Sequence, residues 1–209
     1  ECAYSNLPAL EPAGLYGGLP FRDLKHKFLM AQESDVLPLT EDVLPDGVTV
    51  LALPGHSFDM VGFQTGDGTA YIADSVSSEE TLAKYGIGYL WNPQEALRTL
   101  EYLQTLEAAR FVPSHAPAAS DIRKLAQLNS QAILGVKEKI LELCSTPVTF
   151  ETLLKHMFDS FGLQMSAQQY VLIGSTVRSY LSSMYEENSL SFCFRDNQML
   201  WQTVLPASF

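Results

Sequence analysis

Three side chains able to ligate a metal each stand just beyond a short apolar run: His56, Asp74 and His115. His56 lies in Leu53-Pro54-Gly55-His56-Ser57, after a run from Val48 to Leu53 that reads as a strand. Asp74 ends a second run in Ala70-Tyr71-Ile72-Ala73-Asp74-Ser75, and His115 follows a third in Phe111-Val112-Pro113-Ser114-His115-Ala116. Two imidazoles and a carboxylate form a donor set that zinc, iron or manganese accepts. A strand end is rigid on one side and open on the other, which suits a site that must also admit substrate. Plainer roles compete at each position: a loop histidine capping backbone groups at His56, a turn or cap residue at Asp74, a turn histidine between two prolines at His115. The Pro-Gly-His step is hard to explain by packing alone, and Gly55 frees the backbone to turn an imidazole inward. His26 and His156 fall on expected helices without partnering motifs and read as structural.

These stretches resemble the second half of the metallo-β-lactamase superfamily. There, a Pro-Gly-His supplies the third histidine of the metal site, an aspartate after an apolar strand bridges two metals, and a late Ser/Gly-His closes the second site. The order His, Asp, His agrees, as do the intervals of 18 and 41 residues. The resemblance implies two divalent transition-metal ions, zinc foremost, with iron or manganese as alternatives. Asp74 would join the two ions, with His56 serving one and His115 the other. It further implies metal-assisted hydrolysis of an ester, thioester, amide or phosphodiester in a small-molecule substrate.

The family's first motif, His-x-His-x-Asp-His, is absent from this sequence, whose four histidines are His26, His56, His115 and His156. Met60 stands where many relatives carry a further histidine. The missing ligands are therefore expected from a complementary N-terminal half of the same protein. The alternative is a non-catalytic partner or regulatory protein that keeps the fold without the first motif. The opening Glu1-Cys2-Ala3-Tyr4, with no initiator Met, reads as the start of a fragment or of one of two assembling polypeptides, or else as a mature product after signal removal.

The elements that would position these groups follow from composition and pattern. With 209 residues, 46% hydrophobic and 18% charged, the chain can bury a sizeable core. No apolar run approaches the roughly 20 residues of a membrane span. Cys2, Cys144 and Cys193 are odd in number and far apart, which argues against a disulfide framework and for a reducing, cytoplasmic setting. All three read as buried small hydrophobes. A net charge of −11 disfavours nucleic acid as a partner.

Residues 1 to 46 are rich in proline and glycine, with one helix expected from Phe21 to Ala31. Met60 to Thr65 and Thr69 to Ala73 read as a hairpin, the Asp67-Gly68 step supplying positive-φ turn residues. A short helix capped by Ser78 follows, then one begun by Pro93 with Leu97, Leu100, Leu103 and Leu106 on one face. The Phe111-Val112 strand then delivers His115, and a helix spans Asp121 to Leu143. This order matches half of an αββα sandwich. Residues 1–144 are thus expected to form the C-terminal part of a metallo-β-lactamase-like domain, bacterial-type, in an α/β (α+β) fold.

Residues 145–209 read as a small winged-helix-like domain: a helix capped by Thr149 and ended by Gly162, a second from Ser166 to Glu187, then two short strands. Winged helices often bind duplex DNA. Here Lys155, Arg178 and Arg195 face Glu151, Asp159, Glu186, Glu187 and Asp196, so DNA is not the expected partner. The apolar stripe Tyr170, Val177, Tyr180, Leu181 and Met184 points instead to packing on the rest of the protein or to homo-oligomerisation.

Overall fold

A four-stranded sheet carries the residues of interest in the computed structural model, which describes residues 10–25, 38–40 and 43–204. Its strands are β1 (Thr49–Ala52), β2 (Val61–Gln64), β3 (Thr69–Tyr71) and β4 (Arg110–Val112), in spatial order β1-β2-β3-β4. β1, β2 and β3 are antiparallel neighbours, and β4 joins β3 in parallel. A parallel step needs a crossover, which α2 (Glu79–Tyr85) and α3 (Pro93–Thr105) provide. Asn92 caps α3, accepting from the amides of Gln94 and Glu95, and Ser78 caps α2 through the amide of Thr81.

One face of the sheet is buried. Leu51, Ala70 and Phe111, with Leu53 and Ile72, pack in one core with Ala96, Leu100 and Leu103 of α3 and with α4 (Arg123–Leu143) through Ala126, Ile133 and Val136. Gly62 sits in the middle of β2 because a Cβ there would overlap the carbonyl oxygen of Tyr71 and the Leu53 side chain. The other face is an apolar row crossing all four strands in register: Val50 opposes Phe63, Phe63 opposes Tyr71, and Tyr71 opposes Val112. Val50 is 39% exposed and Tyr71 47%.

The core continues past Cys144 into α5 (Phe150–Ser160) and α6 (Ala167–Glu186). Leu153, Leu154, Met157, Val177, Tyr180, Leu181 and Met184 all belong to it. The stripe on α6 is therefore buried within this chain; Tyr170 lies at its rim and donates its hydroxyl to Glu151. A second sheet, in order β5-β7-β6, joins β5 (Val148–Thr149) to the hairpin β6 (Leu190–Arg195) and β7 (Gln198–Thr203). Asp196 and Asn197, at φ of 52° and 59°, make its two-residue turn. Thr149 and Ser166 cap α5 and α6 as their positions predict. Among the described residues no helix is long and apolar enough to cross a membrane.

Several local expectations need correction. The first hairpin turns with Gly68 alone at positive φ (81°), not Asp67. Gly68 donates to the Thr65 carbonyl and Thr65 to that of Thr69, a three-residue turn closed by a glycine bulge. Asp67 instead accepts from Thr65 Oγ1 and from the amide and hydroxyl of Thr69, and these bonds hold its carboxyl below the ordinary value. On α3, Ala96, Thr99, Leu100 and Leu103 are buried, while Leu106 is the C-cap. Cys193 is exposed and only Cys144 is buried among the described cysteines; Cys2 lies outside the described residues.

The proline- and glycine-rich opening holds a helix, α1 (Leu10–Tyr16), closed by Gly17 at φ 79°. Pro12 is tolerated because the first turn has amides without helical partners. Of the helix expected from Phe21 to Ala31, the described part is one turn, Arg22–Leu24. The rest, with His26, lies outside the described residues.

Candidate metal centre

The Pro-Gly-His loop is held from below by α3. Thr99 Oγ1 donates to the Pro54 carbonyl at 2.7 Å. The amides of Trp91 and Asn92 donate to the Gly55 carbonyl at 3.0 Å each, and Trp91 also reaches the His56 carbonyl at 3.1 Å. Gly55 has φ 129°, and a Cβ there would overlap the backbone N and Cα of Ala96. Its role is close approach of loop to helix as well as backbone freedom. His56 stands at the top of this contact, its ring edge-on to Tyr89 at 5.4 Å.

Asp74 is not the last residue of a strand, as expected, because β3 ends at Tyr71. Ile72 still donates to the Val112 carbonyl, and Ala73 then takes φ 45°, starting a single turn, Ala73–Ser75. A positive φ at a residue with a Cβ is locally strained. The turn lifts the Asp74 carboxylate above the sheet, where its side chain is 10% exposed. Beside it, Ser75 Oγ is buried without a hydrogen-bond partner among the described residues.

His115 is placed by the neighbouring strand end. Ser114 donates to the Ala73 carbonyl and Ser78 to that of His115, both at 2.9 Å. Asn129 of α4 fixes the adjoining segment by accepting from the Ser77 amide and donating to the Ser77 carbonyl, each at 2.9 Å. Neither Asn129 nor Tyr89 stood out in the sequence. Each is an ordinary residue type on an element whose facing depends on the packed structure.

These supports bring the three donors together. His56 Nε2 lies 3.4 Å from Asp74 Oδ2, and His115 Nε2 lies 3.5 Å from Asp74 Oδ1. Each imidazole addresses a different oxygen of one carboxylate. Among the described residues no group of three His, Cys, Asp or Glu converges on one point as a closed single-ion site would. The spacing suits a divided arrangement. Ligands of one tetrahedral zinc stand about 3.3–3.4 Å apart, a separation close to that of each His–Asp pair here.

The centre opens into a cavity of about 760 Å³ lined by His56, Asp74 and His115 from the sheet side and by Lys84, Tyr89 and Leu172 among others. Leu172 belongs to α6, so the C-terminal helices wall the same space. Met60 is largely buried and contributes to its lining, whereas His156 lies on α5 away from it.

No family model matches the chain, and no curated protein matches it. Several solved structures are similar to it, two of which show the extent of the likeness. A metallo-beta-lactamase family protein from Thermus thermophilus superposes with a TM-score of 0.63 at 18% identity, over 96% of this chain and 64% of that one. A beta-lactamase domain protein from Burkholderia ambifaria gives 0.58 at 15% identity, over 81% of this chain and 54% of that one. Likeness at these identities concerns the fold: the chain has a mixed α/β fold similar to that of metallo-β-lactamase fold proteins. It spans 64% and 54% of the lengths of these two.

Proposed function

We propose that this chain is the C-terminal portion of a metal-dependent hydrolase of the metallo-β-lactamase fold, with His56, Asp74 and His115 as metal ligands. The observation that carries the reading is the placement of two imidazole nitrogens against the two oxygens of one carboxylate, at the edge of a cavity. Asp74 together with His56 and His115 would hold divalent ions, zinc foremost with iron or manganese as alternatives, Asp74 being the ligand common to both histidines' ions. Such ions supply Lewis-acid polarisation of a carbonyl or phosphoryl group and a water acidified toward neutrality. The chain's own residues orient those ligands through fixed backbone contacts, and the cavity is of the size that takes a small molecule. The substrate bond is an ester, thioester, amide or phosphodiester.

Three ligands over two ions leave each ion short of donors, so the rest come from a complementary N-terminal half. The row Val50, Phe63, Tyr71 and Val112 supports this, since an apolar sheet face calls for a covering layer. We divide the chain into 1–144 and a winged-helix-like 145–209. The order β5, α5, α6 and the β6–β7 hairpin, with β5 joining β7, supports the second unit. Duplex DNA is not its partner in this reading: Arg178 lies 3.8 Å over the Phe150 ring, and Lys155 pairs with Asp159. Homo-oligomers would form through other surfaces than the buried stripe of α6. A cytoplasmic location accords with the free thiols of Cys144 and Cys193. A non-catalytic partner of the same fold is the second reading, favoured by the lack of a three-ligand group among the described residues.

Elemental analysis of the assembled protein tests the proposal. Two transition-metal ions per assembly are expected, with Asp74→Ala lowering both and His56→Ala and His115→Ala each emptying one. Full occupancy in Asp74→Ala would refute the ligand assignment.

A further inference from the structure

We propose that the segment Tyr89–Asn92 is a strap that positions His56, and that Thr176 of α6 holds the strap in place. The inference rests on the reading of His56 as a metal ligand. Three of its contacts fix the backbone: the Trp91 amide donates to the carbonyls of Gly55 and His56, and the Asn92 amide to that of Gly55. A fourth fixes the ring, because Tyr89 stands edge-to-face on the imidazole at 5.4 Å and 81°. The far end of the strap is pinned where Asn92 caps α3.

Its near end is pinned by the C-terminal helices. Thr176 is fully buried on a helix face otherwise apolar in character. Its hydroxyl donates to the Leu172 carbonyl at 3.0 Å and accepts from the Leu90 amide at 3.3 Å. The hydroxyl is thus satisfied on both sides, and one of its two bonds belongs to the strap. Tyr89 is seated from outside by Leu15, Leu24 and Val171. A ligand imidazole has two soft torsions, and groups beyond the ligand ordinarily fix them. Here backbone amides and an aromatic edge do so, through a segment tied to α6. The C-terminal helices are on this view part of the site's alignment, and Thr176 is a positioning residue 120 positions from the histidine it serves.

The test compares Thr176→Val, which keeps the shape and removes the acceptor, with Thr176→Ser, which keeps the hydroxyl. Tyr89→Leu and Tyr89→Phe form a second pair. Side-chain nitrogen NMR of the histidines is read in the assembled protein stripped of metal, then zinc affinity is measured against a competing chelator. Thr176→Val and Tyr89→Leu are expected to shift or broaden the His56 ring signals while those of His115 and His156 stay in place. They should weaken one zinc step by about 10-fold or more, the usual size of an outer-contact effect on a metal site. Thr176→Ser and Tyr89→Phe should restore both. An unmoved His56 ring in Thr176→Val overturns the proposal, as does an equal shift at His115 and His156. A His56-confined response in a protein that takes up no zinc upholds the strap and refutes the metal reading instead.

Discussion

Gly55→Ala is the substitution on which the account of the site depends most directly. Two costs are separable. An alanine at φ 129° occupies backbone space that L-residues avoid, which costs about 1–3 kcal/mol. Its Cβ would also overlap the backbone N and Cα of Ala96, atoms that cannot rotate aside. Reaching ordinary contact of about 3.5–4 Å requires the loop to retreat by about 1 Å. Crowding of this kind adds about 1–3 kcal/mol. The retreat also stretches the bonds from Trp91 and Asn92 to Gly55 and from Thr99 to Pro54, each worth about 0.5–1.5 kcal/mol. The terms add to about 4–10 kcal/mol, comparable with the roughly 5–15 kcal/mol that holds a domain folded. At about 2–4 °C per kcal/mol for a chain of this size, the melting temperature of the protein should fall by about 10 °C or more. Gly17→Ala serves as the control: φ is also positive (79°) but nothing lies within 4 Å of its Cβ, so only the conformational cost remains. Thermal denaturation followed by circular dichroism measures both. Equal, small losses in the two variants would refute the claim that loop and helix are in obligatory contact.

The remaining expectations are independent of that loop. Gly135→Ala, in the middle of α4 with open space around its Cβ, should stabilise the protein by about 0.5–1 kcal/mol, read from urea denaturation. Cys193 should react with an alkylating reagent at neutral pH while Cys144 is protected, its thiol pushed up by burial from 9.0 to about 11. The stability that this raised value represents is intact below pH 9 and lost as the pH climbs toward 11, so a melting profile over that range should decline and do so less in Cys144→Ala. This chain expressed alone should bind a hydrophobic dye through the exposed Val50 and Tyr71 row, and Tyr71→Ser should reduce the signal; an unaltered signal would place the sticky surface elsewhere.

Much of the local structure was legible in the order of residues. Ser78, Thr149 and Ser166 cap the helices they precede, because a side-chain oxygen beside free amides needs no distant partner. Apolar runs marked the strands, and donor-bearing motifs at their ends marked His56, Asp74 and His115. What the chain order could not supply was convergence. His56 and His115 meet the two oxygens of one carboxylate because β4 pairs in parallel with β3, Tyr71 beside Val112, while Gly55 presses the first loop onto Ala96. The lift of Asp74 out of its strand by Ala73, the clasp of Asn129 on Ser77 and the tie from Thr176 to Leu90 were equally hidden. Each joins residues far apart in sequence or imposes a strained dihedral, and such arrangements are stable only when surrounding packing outweighs their local cost. Capping and periodicity are local physics that a sequence states directly; contact between distant elements is decided by the assembled core.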